Sequence, residues 1–297
     1  MPIGLRIDVD TWRGTRDGVP TLLRTLERHG VRGTWYFTVG PDNMGRHVRR
    51  LLRPTFALKM LRSRAASLYG WEILLRGTLW PGPRIGEGLA DTIRLPIQAG
   101  HEFGVHAWDH HRWQVQAGTN DDSLLGDMDR ATECLADLAG AAPTSTASPG
   151  WRCTEALLRG KCARPFAFHS DTRGPARPLR IRVDDGGGSV LLQPPQVPVD
   201  LPTYDESVGR HGCTDSNFND RMLTLVGDGR PHVLTIHAES EGGRKAALFD
   251  AFLQRALAEG HSFVPLGEYL AEVGCEREGQ LGSGIVEGRE DWLAVTQ

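Results

Sequence analysis

Residues 3–10 read IGLRIDVD, a short apolar run closing on two acids, and form the first predicted strand. Side chains on a strand repeat every second residue, so Asp8 and Asp10 share one face. Downstream, GVPTLLRTLERHG predicts a helix with leucines at helical spacing that stops at Gly30, followed by RGTWYFTVG as a second strand and HEFGVHA as a third. LLGDMDRATECLADLAG reads as a helix, APTSTASPGW as a strand and loop, FAFHSDTRG and HVLTIHAE as further strands, and KAALFDAFLQRALAEG as a late helix. Strands alternating with helices over 297 residues predict an α/β fold on a parallel sheet, open or closed into a barrel. DDGGGS at 184–189 reads as a loop, and neither a Gly-x-Ser-x-Gly elbow nor a phosphate-cradling glycine motif appears.

The candidate polar residues fall at predicted strand C-termini, where barrel active sites are built. In GVHAWDHHRW, His106 and His110 are four apart, a spacing that on a helical segment puts both on one face. With Asp10 they would make a two-histidine, one-carboxylate metal site, leaving Asp8 ionised beside the cation to take a proton from water. Taken alone, Asp-x-Asp can be a turn cap and a His pair can be surface residues; the three together favour a metal. His237, at the end of LTIHAE, could act as general acid or serve a structural role. Arg152 and Asp171 could orient the catalytic carboxylate and an imidazole, or pair with each other. His111 and Asp109 point elsewhere on a helical wheel.

Net charge is −3, which gives no global pull toward nucleic acid. The five cysteines are scattered and odd in number, with no Cys-x-x-Cys pair, which favours reduced thiols and a cytoplasmic setting. The N-terminus shows no secretory pattern, and no apolar run is long enough to span a bilayer. Residues 44–85 break the rhythm, with nine basic side chains against the single acid Glu72, interleaved with leucines and aromatics such as Tyr69, Trp71 and Trp80. That composition suits an amphipathic helical insertion on anionic lipid, or an ordinary insertion with solvated arginines; a nucleic-acid patch has no motif behind it.

RIDVDT, HAWDHH, GWR, SD and TIHAE, in this order, resemble the motifs of the polysaccharide deacetylase (NodB-homology) superfamily. PDNMGRH, RSRAASLYGW, LPTYDE and GREDWL resemble its branch that deformylates a formamido sugar carried on undecaprenyl phosphate, and the likeness runs from about Gly4 to GREDWL near the C-terminus. The resemblance implies one catalytic domain over 1–297, an incomplete (β/α)7 barrel with a basic amphipathic insertion at about 44–85. It implies one divalent ion (zinc, cobalt, manganese or nickel) on Asp10, His106 and His110, with Asp8 as general base and His237 as general acid. Arg152 and Asp171 become orienting residues, and Tyr204 and Asp205 substrate contacts. It further implies release of formate, a role in lipid A modification and polymyxin resistance, and docking on the anionic inner face of the inner membrane. The motifs depart from the superfamily's commoner Asp-Asp-Gly and Arg-x-Pro, because Val9 separates the aspartates and SPGWR lacks that order. A related N-deacetylase on another N-acylated sugar shares the same residues, and a catalytically silent lipid-carrier-binding protein would need none of them.

Overall fold

The computed structural model describes residues 1–46, 77–78, 82–289 and 291–297, so most of the basic 44–85 segment lies outside the described residues. Strand β1 (Ile3–Val9) leads into helix α1 (Val19–His29) and strand β2 (Thr34–Thr38). Helix α2 (Ala90–Gln98) precedes β3 (Glu102–Ala107), and helices α3 (His110–Gln116) and α4 (Asp121–Ala139) precede β4 (Ser145–Thr146). Helix α5 (Glu155–Cys162) joins β4 to β5 (Phe168–His169). After a hairpin, β6 (Leu179–Asp184) and β7 (Ser189–Leu191), come α6 (Asp215–Val226), β8 (His232–His237) and α7 (Ala246–Ala258).

The main sheet is parallel and curls into a half-barrel in the order β5-β4-β3-β2-β1-β8, with the short β9 (Phe263–Val264) against the start of β1. The strand–helix alternation predicted the parallel sheet, and the half-barrel is the incomplete barrel that the family resemblance implied. Alternate strand residues feed two cores. Ile3, Leu5, Ile7 and Val9, with Trp35 and Phe37, pack in one cluster with Val19, Leu22 and Leu26 of α1. Tyr36 and Val233 point the other way, into a second cluster with Trp151, Val197, Val199 and Tyr269 that fills the barrel interior. Arg6, Asp8 and Asp10 stand on the interior side by the same two-residue period.

The gap between β5 and β8 is spanned by the proline-rich stretch 195–201, which sequence patterning did not mark as extended. Val197 N–H donates to His169 O at 2.7 Å and Val199 N–H to Thr172 O at 3.0 Å, while Gln196 N–H turns the opposite way, to Leu179 O at 2.8 Å. Pro198 follows Gln196 on that second side, where no N–H is required of it. Beyond it, Asp200 receives the Val233 N–H at 2.9 Å and holds His232 Nδ1 at 2.6 Å. The two-residue strands β4 and β5 are much shorter than their sequence stretches suggest, and the glycine loop at 184–189 turns the β6–β7 hairpin. A C-terminal pair, Leu281–Gly284 with Leu293–Thr296, is a further feature patterning did not predict.

His232, buried at the far end of β8 from the site, lies between Asp200 and Asp228, whose oxygen is 2.9 Å from Nε2. Burial alone would lower its pKa; hydrogen bonds to the two carboxylates outweigh that and raise it. The protonated ring is therefore favoured by folding. Its contribution is complete below the unfolded value of about 6.5 and fades as pH rises through the higher folded value. Urea unfolding of wild type and His232→Gln should differ by about 1 kcal/mol at pH 6. The difference should shrink toward pH 9; one that grows with pH would contradict this role for the pair.

Candidate metal centre

The interior row on β1 gathers its charges at the C-terminal end of the barrel. Asp8, on the last turn of the strand's ladder, is 2 % exposed and paired with Arg6, which is fully buried. Arg6 Nε donates to Asp8 Oδ1 at 2.8 Å and Nη2 to Oδ2 at 2.7 Å, a bidentate fork between residues two apart. Nη1 reaches Ser170 O and Ser170 Oγ, and the guanidinium lies over the Tyr36 and Trp151 rings at 5.4 and 5.1 Å. Burial would raise the Asp8 pKa, but Arg6, with His106, holds the carboxyl below the ordinary range.

Asp10 follows β1 and is fixed by its backbone. Glu239 Oε1, from the turn after β8, accepts from the N–H groups of Asp10 (3.1 Å) and Thr11 (2.9 Å) and from Thr11 Oγ1 (2.7 Å). Burial and the nearby Asp10 carboxylate push Glu239 up to about 8. His106 sits where β3 slips register against β2: Phe37 pairs with Val105 and Thr38 with Ala107, so His106 is the extra, unpaired residue of a bulge. His110 is the first residue of α3, capped by Asp109, whose carboxylate accepts the Arg112 N–H at 2.9 Å. The two histidines therefore meet from a strand end and a helix start, not from one helical face as their spacing suggested.

Asp10 Oδ1 lies 3.1 Å from His106 Nε2, and Asp10 Oδ2 lies 3.3 Å from His110 Nε2. The three candidate ligand atoms fall within 4.8 Å of one another, all buried, and could hold a metal ion. Asp10 Oδ1 and His106 Nε2 are buried without a hydrogen-bond partner among the described residues, a costly state unless something else engages them. One carboxylate and two imidazoles suit a divalent transition metal. Burial holds the His110 pKa down at about 4, so its ring is neutral and able to coordinate near pH 7. Asp8 stands just outside this group, its Oδ2 4.0 Å from His106 Nε2.

His237 ends β8 directly opposite Asp8 in the β1–β8 register. Its N–H donates to Glu241 Oε2 at 2.9 Å, and despite burial the Asp10 and Asp8 carboxylates raise its pKa. The expected orienting pair is arranged differently. Asp171, fully buried, takes Lys161 Nζ at 2.6 Å and the Ser148 N–H at 2.8 Å, whereas Arg152 meets Asp291 at 2.8 Å and lies over the Trp292 ring. Arg6 is the guanidinium on Asp8. The Tyr204 hydroxyl is given to Asp215, and Asp205 Oδ1 accepts from Thr203 Oγ1 at 2.6 Å while its charge acts on His237. Arg6, Glu239 and Lys161 escaped the sequence reading, although the first two lie inside RIDVDT and TIHAE.

Removing Arg6 would leave Asp8 as an uncompensated buried carboxylate. Arg6→Met should cost about 3–5 kcal/mol in urea unfolding. Adding Asp8→Asn to Arg6→Met should recover part of that loss, and strictly additive costs would mean that the pair is not coupled.

Comparison with known proteins shows the family. Residues 5–160 match the family model described as polysaccharide deacetylase. A Shewanella sediminis protein named "Probable 4-deoxy-4-formamido-L-arabinose-phosphoundecaprenol deformylase ArnD" is 46 % identical, over 98 % of this chain and 93 % of its own. A protein of the same name from Wigglesworthia glossinidia brevipalpis is 34 % identical over 96 % of this chain and 98 % of its own. Among solved structures, a candidate polysaccharide deacetylase of Mycobacterium smegmatis superposes with a TM-score of 0.60 at 16 % identity, covering 92 % of this chain and 94 % of that one, a likeness of fold. This chain belongs to the polysaccharide deacetylase family.

Proposed function

We propose that the protein is a metal-dependent deformylase acting on 4-deoxy-4-formamido-L-arabinose carried on undecaprenyl phosphate. The reading is carried by the buried Asp10–His106–His110 group with the Arg6-held Asp8 beside it. The names of the two curated relatives supply the substrate. A zinc, cobalt, manganese or nickel ion on those three side chains would supply a Lewis acid at the formyl oxygen and a lowered pKa for water. Asp8, oriented from behind by Arg6 and kept ionised by it, takes the proton from the attacking water. His237, across the site on the neighbouring strand, protonates the departing sugar nitrogen, and formate and the free amino sugar leave. Glu239 and Glu241 fix the backbones that carry Asp10 and His237. Asp205, whose charge acts on His237, and the adjacent Tyr204 would line the sugar's approach.

The basic 44–85 segment supports docking of the barrel on the anionic inner face of the inner membrane, where a polyprenyl carrier lies. Among the described residues no helix is long and apolar enough to cross a membrane. The amine product, once passed to lipid A, would add positive charge and so oppose cationic peptides such as polymyxin. Charge reversal at Arg49, Arg50 and Arg53 should abolish co-sedimentation with anionic vesicles, each charge being worth about 1 kcal/mol near such a surface. Unchanged sedimentation would remove the segment from membrane docking.

The deciding assay is formate release from the formamido-arabinose polyprenyl phosphate, with chelator and after metal is restored. Asp8→Asn should keep the metal and lose about 10²–10⁴-fold in rate, whereas His106→Ala should lose both. Loss of metal in Asp8→Asn would exchange the roles of the two aspartates. Acetate from an N-acetylated sugar, with no formate, would assign the protein to N-deacetylation. Neither product from a metal-loaded sample would leave a carrier-binding protein.

A further inference from the structure

The strand β2 leaves the sheet through Gly40 into Pro41, Asp42 and Asn43, and the chain returns beside it at Gly82 and Pro83. These two limbs carry the ends of the basic segment, and they meet the loops that bear the candidate metal ligands. Asn43, 4 % exposed, donates from Nδ2 to Asp109 Oδ2 at 2.6 Å and accepts the Gly82 N–H on Oδ1 at 3.1 Å. The other oxygen of Asp109 caps α3, whose first residue is His110. Asp42, 1 % exposed, accepts the Trp12 N–H on Oδ2 at 3.0 Å, two residues beyond Asp10, while its own N–H donates to Pro83 O at 3.1 Å. The approach of the limbs is close enough to demand glycine: a Cβ on Gly82 would lie 1.8 Å from Asp42 O, and one on Gly77 2.4 Å from Asn43 Oδ1.

Metal-binding imidazoles are ordinarily oriented by a hydrogen bond on the ring nitrogen that does not bind the ion. Here Nδ1 of both His106 and His110 is buried with no such partner among the described residues. The direction of His110 then rests on where its helix begins, and that start is set by Asp109 and its bond to Asn43. We propose that Asn43 and Asp109 are positioning residues for His110, and that with Asp42 they fasten both limbs of the basic segment to the metal-binding loops. The proposal rests on the metal reading of Asp10, His106 and His110. It explains why the segment leaves the barrel at PDN: its attachment is also the outer support of the metal centre.

The test is calorimetric titration of the chelator-stripped full-length protein with cobalt(II), alongside the thermal midpoint of each stripped variant. Asn43→Asp sets two carboxylates against each other and Asp109→Asn two amides, so each should weaken cobalt binding about 10–100-fold. The double exchange Asn43→Asp with Asp109→Asn keeps every hydrogen bond, reversing donor and acceptor only between the two side chains, and should restore affinity to within about threefold of wild type. Single variants that bind cobalt as wild type does, with only a lowered midpoint, would make the contact purely structural and overturn the proposal. A double exchange as weak as the singles would overturn it too. If wild type binds no more cobalt than His110→Ala, the metal reading itself fails, a result distinct from either of these.

Discussion

Three charged side chains stand in a row on the interior side of β1, a strand hydrogen-bonded along both edges. Neither face of that strand meets bulk water, so each charge has to be met by protein. Arg6 is held by two aromatic faces and a carbonyl and Asp8 by the fork of Arg6, while Asp10 stands beside two imidazoles on a backbone that Glu239 anchors. A low-dielectric interior strengthens every one of these attractions and makes the loss of any partner expensive. The surrounding strands are arranged to deliver those partners: β2 brings Tyr36, β3 brings His106, β8 brings His237 and the turn with Glu239. The curl of the sheet is what lets all of them converge.

The apolar interior below the site completes the picture. Tyr269, Leu266, Val233 and Val197 fill the barrel beneath Arg6 and leave the polar groups at one end. His232 is the exception at the opposite end, where Asp200 and Asp228 enclose it and tie the spanning stretch 195–201 to β8.

The fold was legible wherever local pattern and tertiary role coincide. IGLRIDVD, RGTWYFTVG and HVLTIHAE are apolar because they are buried on both faces, and the helices between them carry the spacing of a one-sided contact. The stretch 195–201 was hidden because proline argues against a strand; only the structure shows that Pro198 takes a place needing no N–H. Among candidate site residues, Asp8, Asp10 and the two histidines stood out in the sequence through chemistry at short spacing. Arg6 did not, since one arginine in a strand looks like any edge charge until its burial is known. The Asp171 partner was equally hidden: Lys161 lies on α5, and nothing in local sequence distinguishes its burial from that of a solvated lysine. A third case is the meeting of His106 with His110, which depends on a bulge that no periodicity encodes.

The contiguity of Arg6, Asp8 and Asp10 has a consequence for how such chemistry could spread or be rebuilt. The proposed proton acceptor, its counter-ion and one candidate metal ligand lie within a five-residue cassette, with their mutual spacing set by the pleat and not by loops that drift. Recombination that moves this strand moves all three together, whereas the histidines must be supplied by the host sheet. Grafting onto another parallel barrel therefore divides into one portable segment and one bulge-plus-helix junction, and the second is the harder half to copy.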